Sequence, residues 1–95
     1  MPPVTVEFFE IDEFNESKFW SHGLHRDAVA QVLGNRKIVV RNRKERTAEY
    51  LLIGRDDSGR CITMPIVQTH DPYTWRPVTA WPCKPSEAAR LRQQR

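Results

Sequence analysis

The sequence predicts an α+β domain: a curled antiparallel sheet with a helix pair before it and a basic helix after it. Three observations carry this. An alternating apolar segment opens the chain, and a glycine-punctuated pair of short helical patterns follows it. Two apolar runs flank the turn-forming "DDSG" at 56–59, the pattern of a hairpin. The strands then cluster in sequence instead of alternating with helices, which separates this class from a parallel α/β sheet. With 95 residues, the chain suits one domain, 1–95, around one modest core.

The elements follow in order. "VTVEFFEI" (4–11) alternates and is rich in β-branched and aromatic residues, so it reads as a strand with Val4, Val6 and Phe8 on one face. Asp12 is placed to cap the next helix, about 12–22, whose Glu13 and Glu16 suit the positive end of the helix dipole. Gly23 is the residue expected just past its end, where the chain needs φ > 0. "RDAVAQVL" (26–33) makes a second helix that buries Ala28, Val29, Val32 and Leu33 before Gly34 stops it. His22 and His25 bracket the corner between the two. As a zinc pair they have no third and fourth ligands nearby in sequence, so no metal and no cofactor is expected.

"KIVVRN" (37–42) is a strand, and "RKERT" a basic connection. "AEYLLIGR" and "RCITMPIVQ" form the hairpin, and "THDPY" turns the chain again, with His70 as a turn residue. "TWRPVTAW" is the last strand, where Pro77 demands an edge position or a bulge. "SEAARLRQQR" closes the chain as a basic helix, 85–95, with Ser86 as its cap. The sheet is thus expected over about 37–81, antiparallel, with the helix pair on one face.

No apolar run is long enough to span a membrane, and the start lacks a basic flank and a long apolar stretch. Two cysteines make no disulfide framework; Cys61 and Cys83 read as unpaired thiols in a reducing cytoplasm, the expected location. The net charge of +3 is mild but skewed. The front carries acids, including Glu7, Glu10, Asp12, Glu13 and Glu16, whereas 36–60 carries Arg36, Lys37, Arg41, Arg43, Lys44, Arg46, Arg55 and Arg60. That skew suggests a polyanionic partner, with a merely solvated basic face as the plain alternative.

The ordered series of motifs resembles the BrnT family of bacterial toxins over roughly residues 8–92. Asp12 and Glu13, then Asn15, Lys18 and His22–Gly23, resemble that family's opening. "YLLIGRDDSGR" resembles its central segment, and "WRPVTAWPCKPSEAARLR" occupies the place of its last strand and basic terminal helix. Two positions depart from the family: Glu49 and Trp81 stand where it usually carries arginines.

The resemblance implies a RelE/BrnT-like fold and the toxin half of a type II toxin–antitoxin pair. Such a toxin is a metal-independent endoribonuclease in which the RNA 2′-hydroxyl attacks the adjacent phosphate. Proton transfer and stabilisation of the charged phosphorane then fall to side chains. The candidate catalytic residues are His22, Glu49, Arg55, Arg76 and Lys84. Arg46, Tyr50, Trp75, Trp81 and Arg90 are the candidates for holding RNA, by charge or by stacking. The implied partners are RNA and a cognate antitoxin, in a homodimer or a toxin–antitoxin hetero-oligomer. The alternative is a non-catalytic module on the same scaffold that binds RNA or protein.

Overall fold

The Asp12 carboxylate accepts from the N–H groups of Phe14 and Asn15, while the Asn15 side chain accepts from the Asp12 N–H, so the first helix starts on a reciprocal cap. The computed structural model describes residues 4–43 and 46–93. Helix α1 spans Glu13–Ser21 and ends where Gly23 takes φ 76°. There the Leu24 N–H reaches the Phe19 carbonyl and the Gly23 N–H that of Trp20, satisfying carbonyls the helix leaves open. His25 caps α2 (Arg26–Gln31), its Nδ1 accepting from the Asp27 N–H at 3.1 Å. A 3₁₀ turn, Val32–Gly34, completes the predicted second helix.

Six strands make one open, mixed sheet: β1 (Phe8–Phe9), β2 (Lys37–Arg41), β3 (Tyr50–Arg55), β4 (Cys61–Gln68), β5 (Thr74–Pro77) and β6 (Trp81–Pro82). The order is β1-β5-β4-β3-β2, with β6 also paired to β4. The expected antiparallel hairpin is present, Leu52 facing Met64 and Ile53 facing Thr63. Asp56 builds its tip, accepting from the Ser58 and Arg60 N–H groups. These bonds hold its carboxyl below the usual aspartate range against the opposing effect of burial, the largest single influence.

Side chains alternate across the sheet. Leu52, Ile62, Met64 and Ile66 face α1 and α2 and form the main core with Phe19, Leu24, Val29 and Val32. Gly54 lies under the 3₁₀ turn, where a Cβ would stand 2.5 Å from Val32 Cγ1. Ile53 and Thr63 point the other way, toward helix α3 (Pro85–Gln93), whose Leu91 is buried. Two residues of the expected terminal helix, 94–95, and residues 44–45 of the basic connection lie outside the described residues.

The structure corrects five expectations. The sheet is not wholly antiparallel, because β1 joins β5 in parallel. Phe8 is 59 % exposed, while Val4, Val6, Phe9 and Ile11 pack inward. The alternation slips by one because the N–H groups of Glu7 and Phe8 both donate to the Tyr73 carbonyl. The last strand is broken: β5 keeps one register on β4 and β6 another, so residues 78–80 oppose only 64–65. This is a bulge immediately after Pro77, and it also explains a proline in the middle of β4. The Val78 N–H donates to the Pro65 carbonyl, so Pro65's missing donor faces the bulge, where the ladder is already interrupted.

Helix α3 starts on Pro85 rather than after a Ser86 cap. Finally, the cysteines are not free. β6 lies antiparallel to β4, and the Cys83 N–H donates to the Cys61 carbonyl, which brings the Cα atoms to 5.2 Å and forms a disulfide. The bond closes a loop with a sequence separation of 22. Loop-closure entropy of that size corresponds to about 3 kcal/mol. The Cys61→Ser/Cys83→Ser protein should therefore unfold at lower urea than the oxidised protein, by about that amount. Equal midpoints, or two titratable thiols in the native protein, would exclude the bond.

Candidate functional site

Helix α3 and strand β6 are joined by one carboxylate. Pro85, with fixed φ and no N–H, takes the first helical position. Glu87 reaches back from the same turn, its Oε1 accepting from the Lys84 backbone N–H at 2.8 Å. The same oxygen accepts from the Thr63 hydroxyl of β4 at 3.0 Å and from the Trp81 indole N–H of β6 at 3.1 Å. Hydrogen bonds to an ionised acceptor are about twice as strong as neutral ones. Glu87 therefore fixes where Trp81 and Lys84 stand.

Beside this anchor a groove of about 450 Å³ opens on the sheet face away from α1 and α2. Leu51, Pro65 and Val78 floor it. Arg43 and Arg46, on the connection after β2, line it together with Trp81, Lys84, Glu87 and Thr79 of the bulge. The Lys84 ammonium sits 5.9 Å from the Trp81 ring centroid. His22, at the end of α1, meets the same indole with ring centroids 6.3 Å apart. A second hollow shares Arg43 and Arg46 and extends toward Arg41 and Glu49. The groove offers cations, an aromatic surface and a carboxylate within one depression, with the His22 imidazole against the Trp81 ring outside its lining. Among the described residues no cluster of His, Cys, Asp or Glu is placed to hold a metal ion.

Of the residues nominated from sequence, Lys84, Arg46 and Trp81 come together here, and His22 reaches the Trp81 ring from the end of α1. The others do not. Arg76 makes a bidentate pair with Asp12, at 2.7 and 3.0 Å, and adds Glu10 at 3.2 Å. Its guanidinium is already matched by two acids, so it pins β5 to the start of α1. Glu49 pairs with Arg41 across the neighbouring strand. Arg55 donates to the Gly59 carbonyl at 2.9 Å in the hairpin tip, at the other end of β3 from the groove. Trp75 is 6 % exposed, donates its indole N–H to the Thr5 carbonyl and packs edge-on against Tyr50. It presents no free face to a base. Tyr50 itself lies under the Arg41 guanidinium, and Arg90 is exposed on α3.

Two groove residues escaped sequence reading, Thr79 and Glu87, and Arg43 was counted there only among the bases of 36–60. Glu87 had a signal, since a proline followed two residues later by Glu marks the first turn of a helix. Thr79 had none beyond the prolines that surround its bulge. The chain matches no protein-family model and no curated protein.

The Arg76 pair makes the fold sensitive to acid. Arg76 hydrogen bonds, with help from the Asn15 N–H, hold the Asp12 carboxyl well below the usual aspartate value, at about 2, against a smaller opposing effect of burial. A depressed folded-state pKa stabilises the native state above the unfolded value of 3.8, and that contribution disappears as pH falls through about 2. Asp12→Asn keeps a capping side chain but removes the charge. Its urea midpoint should fall less than the wild type's between about pH 5 and about pH 2. Parallel curves would show that the pair carries no acid sensitivity.

Proposed function

We propose that this protein is a toxin of the BrnT type that acts on RNA, and that the groove beside Trp81 holds the RNA strand. The observation that carries this reading is the convergence of Arg43, Arg46 and Lys84 around an indole held in place by Glu87. Cations along a groove attract phosphates, and an aromatic ring accepts any base on its face. Each base stacked in this way contributes about 1–3 kcal/mol. In cleavage by 2′-hydroxyl attack, His22 takes the hydroxyl proton as the O2′–P bond forms, Lys84 stabilises the charge that develops on the phosphorane, and the P–O5′ bond breaks with the leaving 5′-oxygen taking a proton from water. Both groups lie beside the Trp81 ring, the His22 ring centroid 6.3 Å and the Lys84 ammonium 5.9 Å from its centroid. A cognate antitoxin would block the RNA by placing acidic groups against the same cations.

A second reading, binding without cutting, is favoured by a specific pair of observations. Arg76 and Glu49, both nominated for catalysis, are engaged in ion pairs away from the groove. The two readings separate experimentally. RNA affinity of the purified protein should fall steeply with salt, and Arg46→Ala should lower the slope of log K against log salt by about 0.7. Trp81→Ala should cost about 1–3 kcal/mol of binding. His22→Ala should bind RNA normally yet lose cleavage and growth arrest in cells, by about a hundredfold or more in rate. RNA bound but never cut by the wild type would establish the second reading. Affinity indifferent to salt would dismiss both.

A further inference from the structure

The hollow beside the groove differs from it in kind. It shares Asn42, Arg43, Arg46 and Thr47 with the groove, so the two adjoin along the connection after β2. The groove has an apolar floor and the Trp81 ring, which suit a base. The hollow adds Arg41 and Glu49, so among the described residues every residue that lines it is polar or charged. It offers a base nothing to stack on, and it offers a phosphate three arginines. Arg41 is engaged there in two ways. Glu49 pairs with its guanidinium, which also lies over the Tyr50 ring, 5.6 Å from the centroid. The ion pair is open to water, its side chains 57 % and 63 % exposed. Pairs so exposed contribute little to stability, so this carboxylate is exchangeable. A guanidinium makes the same two-pronged hydrogen bonds with a phosphate. The ring contact does not depend on Glu49, and it keeps the cation at the hollow when the carboxylate is displaced.

We infer that this hollow is a phosphate subsite adjoining the groove, and that Glu49 holds Arg41 there until the backbone of an RNA strand replaces it. With one base on Trp81, the strand continues along Arg43 and Arg46 and presents a neighbouring phosphate to Arg41. The ligand is thus a single-stranded oligonucleotide rather than an isolated nucleotide. Binding displaces Glu49 and leaves its charge beside a phosphate, and such like-charge contact is costly. Glu49 therefore holds the affinity below what the three arginines would give without it. The inference rests on the RNA reading proposed above.

The test is the affinity of the full chain for hexauridylate, by fluorescence anisotropy, in wild type, Glu49→Gln, Arg41→Ala and the double variant. Glu13→Gln, exposed on α1 across the sheet from the hollow, controls for charge alone. Both members of the pair are exposed, so thermal midpoints should stay close to the wild type's. Glu49→Gln should bind about fivefold more tightly, the equivalent of one exposed ion pair. It should also steepen the slope of log K against log salt by about 0.7, as one more cation meets a phosphate. Arg41→Ala should bind more weakly than wild type. In the double variant the gain from Glu49→Gln should shrink to about twofold or less, because the two side chains act as a unit. Glu13→Gln should bind as the wild type does. A gain that survives undiminished without Arg41, or that Glu13→Gln matches, is a general effect of charge and overturns the subsite. So does unchanged affinity in Glu49→Gln while Arg46→Ala and Trp81→Ala still weaken binding, a result that leaves the RNA reading standing. Failure of the wild type and every variant to bind hexauridylate at low salt sinks the RNA reading and the subsite together.

Discussion

One residue of mismatch in the sheet decides how the molecule is organised. Between β5 and β6 the chain has residues 78–80 where β4 has 64–65. A one-residue slip turns every later side chain to the opposite face. Trp75 and Trp81 are six positions apart and would share a face on an unbroken strand. Instead Trp75 aligns with Gln68 and enters the core, while Trp81 aligns with Thr63 and stands over the groove. Pro65 makes the interruption tolerable, since it has no N–H to leave unpaired there. Core and candidate site are thus divided by a local irregularity that two prolines support.

Among the described residues, the bases of 36–60 differ in what they face. Arg41 is matched by Glu49, and Arg60 lies against Asp56 in the hairpin tip. Arg43 and Arg46 are the cations of that stretch that line the groove, where Lys84 joins them from a distant part of the chain. Arg76, from β5, is held by acids from the front segment. Composition counted these charges as alike. Ion pairing within the fold distinguishes those that lock elements together from those left facing an open depression.

Much of the architecture was legible because its signals are local. Helix α1 follows from Asp12 at one end and Gly23 at the other, and the hairpin from its turn between two apolar runs. These depend on capping and turn chemistry within a few residues. What was not legible depends on pairings across the chain. Phe8 turned outward because two N–H groups share the Tyr73 carbonyl, which alternation within 4–11 cannot anticipate. The cysteines meet because β6 settles beside the start of β4. Within the site, the aromatic and the lysine were readable as residue types with suitable chemistry. Arg76 was readable too, but its acid partners lie 64 and 66 positions away in sequence. Thr79 had meaning only once the bulge was in view.

The Cys61–Cys83 bond encloses β4, β5, the bulge and β6 in a single covalent ring. A strand that slips by two residues keeps its faces correct, so the hydrophobic pattern alone penalises that error least. Such a slip displaces one strand by about 7 Å along its neighbour, beyond what a disulfide spans. The bond is therefore an alignment gauge for β6 against the start of β4. In a reducing compartment the gauge is absent, and the alignment rests on the backbone bonds of β6 and the fan of donors on Glu87.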